Sequence, residues 1–260
     1  MECVSDNVMI YVAGIGPGGL DEITPRVLEI IRSCDVVAGY TKYIELLGDS
    51  INGKIVFSSG MTHERERCEM CLKFSRDSGK NVVLISSGDA GVYGMAGLML
   101  EVAAGSGEEV KIIPGITAAN ACAAILGAPL MNDYATISLS DLMTSWETIE
   151  KRLVAACMGD FVICLYNPAS HHRPDNFRRA CEIIMKYRPI ETPAGYVRNA
   201  GRECETHEVM TLGEIMKSDI DMLCTIIIGN SQTYILNGKI ITPRGYNIPI
   251  QNQEREYRNA

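Results

Sequence analysis

Short apolar runs closed by glycine- or proline-bearing turns alternate with amphipathic stretches through the first half of the chain. Residues 8–13, 35–38, 54–57, 82–86 and 110–113 read as buried strands. Between them, residues 24–33, 42–47, 62–78, 93–104 and 117–126 carry helical spacing. The first helix is announced by Thr24-Pro25, an N-cap residue followed by proline at the first helical position. From residue 129 the pattern changes. A strand at 134–139, a helix at 146–156, a strand at 161–166 and a helix at 174–187 lead into three strand-like runs at 193–197, 206–212 and 223–228. Adjacent strands without an intervening helix predict a mixed sheet. The expected architecture is α/β: two α/β domains, 1–128 and 129–245, with a cofactor cleft between them, followed by a polar tail at 246–260 whose last stretch, 251–260, should fray.

Composition narrows the function. The 260 residues include 47% apolar and 22% charged residues, ordinary for a globular protein, and a net charge of −8. No Lys/Arg stripe marks a nucleic-acid surface. No apolar run approaches the ~18 residues a membrane span needs, and the first residues lack a signal-peptide pattern. A cytoplasmic protein is expected. Ten cysteines are scattered through helix- and strand-like segments. Cys34, Cys122, Cys164 and Cys224 sit among aliphatic residues and read as small core hydrophobes. Cys68 and Cys71 have CxxC spacing but stand inside a helical stretch with no second pair nearby. A structural role is favoured there over a metal or cluster site. The four histidines have no metal-ligand spacing, so no resident metal is expected.

The candidate chemistry lies in three turns. Gly14-Ile-Gly-Pro-Gly-Gly19, Ser87-Gly-Asp89 and Pro114-Gly-Ile-Thr-Ala118 each follow a buried strand, where open α/β sheets bind ligands. Gly14, Gly16 and Gly19 match a dinucleotide fingerprint literally, yet the context disagrees. Pro17 removes a backbone donor, the helix begins only at Pro25, and the second strand ends in Gly39-Tyr40 with no acid for a ribose. A Walker A loop is excluded because no Gly-Lys-Ser/Thr follows.

Those three turns resemble the signature turns of the tetrapyrrole (corrin/porphyrin) methyltransferases, which use S-adenosylmethionine. Gly39-Tyr-Thr-Lys-Tyr43, Ser59-Gly-Met-Thr62, Gly91-Val-Tyr-Gly-Met-Ala96, Leu165-Tyr-Asn-Pro-Ala-Ser170 and Val197-Arg-Asn-Ala-Gly-Arg-Glu203 are similar to the precorrin-3B C-17 branch, including its cobalt-handling form. The resemblance runs from about Met9 to Asn230. It implies cofactor contacts from Pro17, Gly88, Asp89, Val92, Thr117 and Ala118, and from Tyr166, Asn167, Asn199 and Ala200. Residue chemistry agrees: Gly88 permits close backbone approach, Asp89 offers an acceptor near a cation, and Thr117 offers donors at a helix start. As alternatives, Asp89 and Thr117 are ordinary capping residues. Ala90 replaces the proline common in that turn across the wider family, a difference in stiffness more than in chemistry.

The resemblance also implies a tetrapyrrole substrate, methylation of carbon 17 coupled to ring contraction, and a homodimer. Precorrins carry many carboxylates, which an acidic protein must meet with local cations. Arg173, Arg198 and Arg202 flank the resemblance turns and are expected on the substrate, and Tyr40 is also taken as substrate-binding. His171 and His172 extend that surface. Arg178, Arg179, Arg65 and Arg67 read as solvated helix residues, with His63 near the latter pair, and His207 as a surface residue. Tyr40 stands where related uroporphyrinogen methyltransferases carry an acid, so no acid–base residue is assigned. Methylation at another ring carbon, a non-catalytic tetrapyrrole or nucleotide sensor, and a diphthamide-type enzyme are the competing readings. The third lacks the Tyr-Asn-Pro-Ala-Ser and Arg-Asn-Ala-Gly-Arg wording.

Overall fold

The computed structural model describes residues 8–170, 173–246 and 255–256. The chain divides into two compact units, Met1–Ala118 and Ala119–Ala260.

The first unit alternates strand and helix: β1 (Met9–Gly14), α1 (Pro25–Ser33), β2 (Val36–Tyr40), α2 (Thr41–Glu45), β3 (Ile55–Ser59), α3 (Glu64–Ser78), β4 (Val82–Ser86), α4 (Ala96–Ala103) and β5 (Glu109–Ile113). The five strands form one parallel sheet in the order β3-β2-β4-β1-β5. Strand alternation sends Val83 and Ile85 to the face covered by α1 and α2, through Val27, Ile30, Ile31 and Ile44. Val82 and Leu84 face the other way, against Cys68 and Cys71 of α3 and Met99 of α4. Helix α1 starts where the sequence expects it: the Thr24 hydroxyl accepts the Val27 N–H at 3.4 Å, with Pro25 at the first helical position. Helix α3 stops at Gly79, whose φ of 59° suits glycine.

The second unit carries α5 (Ala118–Leu126, starting at the last residue of the first unit), β6 (Gly127–Ala128), β7 (Tyr134–Ser138), α6 (Trp146–Met158), β8 (Val162–Tyr166), α7 (Asn176–Ile184), β9 (Pro193–Arg198), β10 (Thr206–Thr211), α8 (Leu212–Ile215), β11 (Cys224–Ile228), β12 (Tyr234–Leu236), β13 (Lys239–Ile241) and β14 (Arg255–Glu256). Its main sheet runs β10-β9-β11-β8-β7; β7 and β8 are parallel and the other pairings antiparallel, the mixed sheet the adjacent strands predict.

Two boundaries differ from the sequence reading. The division falls ten residues before 128, because the alanine-rich face of α5 is buried against the second sheet. Ala119, Cys122, Ala123 and Leu126 lie with Val162, Cys164, Val197 and Ile227. Gly127–Ala128 then pairs in parallel with β13 in a small sheet ordered β14-β12-β13-β6, which the sequence pattern does not announce. Part of the polar tail is ordered, since Arg255 and Glu256 pair with Leu236 and Ile235. The rest of residues 247–260 lies outside the described residues.

Candidate active site

Register alone brings the three signature turns together. Gly14 at the end of β1 pairs with Ser86 at the end of β4, and Ala13 pairs with Ile113 at the end of β5. The three strands therefore release their turns side by side at the carboxyl edge of the first sheet. The turns are then joined by backbone. Gly16 and Gly88 exchange hydrogen bonds, Gly16 N–H to Gly88 O at 3.1 Å and Gly88 N–H to Gly16 O at 2.7 Å. A β-carbon on Gly14 would lie 2.5 Å from Gly88 O and 2.7 Å from Gly115 N, and one on Gly115 only 2.6 Å from the Gly14 carbonyl carbon. These are glycines because main chain from three strands meets there with no room for a methyl.

Gly88 differs. Its φ is 66°, and a methyl there would meet nothing nearer than Ala118 N at 3.7 Å, with Ile116 O and Thr117 Cα beyond. A methyl at Gly88 would thus only touch the backbone of residues 116–118 that leads into α5, without overlapping it. Pro17 is buried next to it, while Val92, Thr117 and Ala118 are half-buried. The first-unit cofactor candidates thus share one small region.

Asp89 has a different task from the free acceptor expected. One carboxylate oxygen accepts the N–H groups of Gly91 at 2.8 Å and Val92 at 3.2 Å, and the other accepts Gly115 N–H at 3.0 Å. The carboxylate stitches the β4 turn to the β5 turn. It combines the capping alternative with a bond that holds two ligand turns in place.

A second cluster forms within the second unit. Strands β8 and β9 both run antiparallel to β11, so their carboxyl ends lie at one edge of that sheet. Tyr166 and Asn167 leave β8 there, and Asn199 and Ala200 leave β9. Asn167 and Asn199 take φ values of 52° and 56°, conformations that asparagine tolerates better than most residues. Asn167 donates to Ser138 Oγ at 2.9 Å, and Asn199 N–H donates to Leu223 O at 3.1 Å. The Tyr166 hydroxyl accepts the Ala119 N–H at 2.6 Å and so holds the start of α5.

The arginines separate into distinct environments. Arg173 Nε donates to Ser170 Oγ at 3.0 Å, while its buried Nη1 has no hydrogen-bond partner among the described residues. Arg202 N–H donates to Asn199 O at 2.9 Å, which closes the β9 turn. Arg198 is already neutralised: Nη2 donates to Asp219 O at 2.6 Å, and the guanidinium lies 3.2 Å from Asp221 and 3.7 Å from Asp219. Those acids compete with a substrate carboxylate for its guanidinium. Arg178 pairs with Glu182, and Arg179 stacks over Trp146 at 3.9 Å, both exposed as expected. Arg65 is exposed and paired with Glu69, but Arg67 is buried, contrary to expectation. His171 and His172 lie outside the described residues.

The sequence reading did not place Gly14 and Gly115 in the site. Their turn context marked them, but only the register shows that they touch. Cys68 and Cys71 are core residues, the first with its thiol pushed up to about 11 by burial, the second higher still. Among the described residues no group of three or more metal-ligating side chains occurs.

A parallel sheet with glycine turns converging at its carboxyl edge, followed by a mixed α/β unit, defines a class of ligand-binding α/β protein. Residues 9–216 match the family model described as Tetrapyrrole (Corrin/Porphyrin) Methylases, and the chain belongs to that family. It is 45% identical to a probable cobalt-factor III C(17)-methyltransferase of Salmonella typhimurium, over 92% of this chain and all of that one. It is 37% identical to the precorrin-3B C(17)-methyltransferase of a Sinorhizobium species, over 91% and 96%. The crystal structure of the methyltransferase CobJ superposes with a TM-score of 0.85 at 32% identity, covering 91% of this chain and all of that one. A Thermus thermophilus uroporphyrin-III C-methyltransferase complexed with S-adenosylhomocysteine shares the fold, with a TM-score of 0.68 at 18% identity over 85% and 97%.

Proposed function

We propose that this chain transfers the methyl group of S-adenosylmethionine to carbon 17 of cobalt-precorrin-3B, with ring contraction, in cobalamin biosynthesis. The observation that carries the reading is the convergence of three backbone turns at the carboxyl edge of the first sheet, where Gly16 and Gly88 exchange hydrogen bonds and Asp89 ties the second turn to the third. The family and the names of the similar proteins support it, and the cobalt form is favoured because the cobalt-factor relative is the more similar of the two.

The cofactor supplies an electrophilic methyl group on a cationic sulfonium. Gly88 and the backbone of Thr117 and Ala118 would hold it, with Pro17 and Val92 as apolar contacts; the resemblance adds Tyr166, Asn167, Asn199 and Ala200. Asp89 keeps the turns in register and contributes negative charge without giving up its three N–H donors. An electron-rich macrocycle needs little acid–base help to accept a methyl group. The residues therefore act by aligning methyl and carbon and by excluding water. Arg173 and Arg202 are the cations for substrate carboxylates, and the resemblance adds Tyr40 as a substrate contact from the first unit. A homodimer in the cytoplasm completes the proposal; light scattering of the purified protein tests the dimer.

Titration calorimetry with S-adenosylhomocysteine tests the cofactor assignment. One molecule should bind per chain. No heat with that ligand, together with clear NADH or ATP binding, would overturn it.

A further inference from the structure

The main chain that leads into α5, residues 115–119, is clamped at both ends. At the first residue, the Gly115 N–H is held by the Asp89 carboxylate at 3.0 Å. At the last, the Ala119 N–H donates to the Tyr166 hydroxyl at 2.6 Å. Between the clamps lie Ile116 O, Thr117 Cα and Ala118 N, the atoms that stand nearest to a β-carbon placed on Gly88. The Tyr166 clamp lies within the second unit and reaches Ala118 only through the peptide bond that joins Ala118 to Ala119.

The local sequence calls for an acceptor from outside the helix. The first N–H groups of a helix have no partner inside it, and α5 opens on Ala118 and Ala119, whose methyl side chains cannot accept one. Ala119 is 1% exposed, so water does not stand in for the phenol. The phenol comes from a fixed point. Tyr166 ends β8 as the register partner of Ser138, and its carbonyl accepts the Leu139 N–H at 2.8 Å. An acceptor on the end of a paired strand sets the position of the helix, where one on a free loop would follow it. The opposite end of α5 is held by an exposed contact, Lys239 Nζ donating to Ile125 O at 2.9 Å.

We propose that the Tyr166 hydroxyl is a positioning group for cofactor binding. It fixes the first turn of α5 and, through the Ala118–Ala119 peptide, holds the main chain of Thr117 and Ala118 in the arrangement that receives S-adenosylmethionine. This task is separate from any contact the Tyr166 ring makes with the ligand. The inference rests on the cofactor reading above.

Tyr166→Phe keeps the ring and removes the acceptor. Amide hydrogen exchange across residues 115–122 of the ligand-free variant, read by mass spectrometry, should be faster than in the wild type. Calorimetry should show affinity for S-adenosylhomocysteine reduced by about tenfold, the loss expected when a buried donor loses its acceptor. KM for S-adenosylmethionine should rise by a similar factor, with kcat within about twofold. Lys239→Met frees the other end of α5 and should leave affinity within about twofold. Coupling is reciprocal, so saturating S-adenosylhomocysteine should slow exchange at the same wild-type amides by about tenfold. No slowing in the wild type overturns the proposal even if Tyr166→Phe fails to fold. Faster exchange with unchanged affinity makes the hydroxyl merely structural, and reduced affinity with unchanged exchange means that it meets the ligand directly; either result overturns the positioning role. An equal loss of affinity in Lys239→Met overturns it as well, because general loosening of α5 would then suffice. A wild-type protein that binds no S-adenosylhomocysteine overturns the cofactor reading, and this inference with it.

Discussion

Two glycines separate packing from binding. Alanine at Gly115 would push its β-carbon into the Gly14 backbone, so the turns must part. Gly115→Ala should lower the melting temperature and abolish S-adenosylhomocysteine binding together. Alanine at Gly88 would sit at ordinary contact distance from the 116–118 backbone but must take a positive φ, a strain of roughly 1–2 kcal/mol. Its methyl projects toward the backbone of Thr117 and Ala118, which is proposed to hold the cofactor. Gly88→Ala should therefore cost only a few degrees of melting temperature and at least about tenfold in affinity. If the two variants behave alike in melting and calorimetry, the cofactor does not sit at Gly88. Asp89 belongs with Gly115. Asp89→Asn keeps the volume but turns one acceptor into a donor facing N–H groups, so stability and cofactor affinity should fall in parallel. Affinity lost without any change in melting would mean that Asp89 meets the cofactor directly and does not act through the turns.

At the scale of elements, the strands and helices of the first unit were legible because each is punctuated. Thr24-Pro25 starts α1, Gly79 stops α3, and glycines close the strands. The mixed sheet was legible from its consecutive strands. Shorter elements were not: β12 and β13 have three residues each, too few to show a period, and β6 has two. The α5 boundary was missed because an alanine-rich helix carries no mark of which sheet it covers. Arg67 was misread by its charge, although a signal was present. It shares one face of α3 with Cys71 and Ser75, four and eight residues on, and all three are buried. Arg198 could not be read at all, since Asp219 and Asp221 reach it from the loop before β11. The elements thus predict a division among the arginines. Arg173→Ala should raise the corrinoid KM by about tenfold and make it less sensitive to salt, whereas Arg198→Ala should leave KM within about twofold. Steady-state kinetics at two ionic strengths decides, and equal effects would remove the distinction drawn between Arg173 and Arg198.

Across the whole molecule, eight of the described cysteines are buried free thiols, and Cys204 is exposed. Burial pushes the thiols of Cys34, Cys122, Cys164 and Cys181 up to about 12 and that of Cys68 to about 11. Because the folded values lie above the unfolded value of 9.0, the unfolded chain loses these protons first as pH rises. Their contribution is complete below pH 9 and is lost progressively as pH climbs through 9 toward 12. The melting temperature should therefore fall steeply above pH 9 in differential scanning fluorimetry. A flat profile from pH 8 to 11 would show that the thiols are not held in a dry core.

The central claim concerns where a methyl group goes. Incubating the protein with ¹³C-methyl S-adenosylmethionine and either cobalt-precorrin-3B or its metal-free counterpart, and reading the product by NMR and mass spectrometry, tests it most directly. One labelled methyl should appear on carbon 17 of a ring-contracted product, with S-adenosylhomocysteine released in equal amount and the cobalt substrate preferred. A labelled methyl on any other ring carbon, or tight cofactor binding with no transfer to either substrate, would contradict the account.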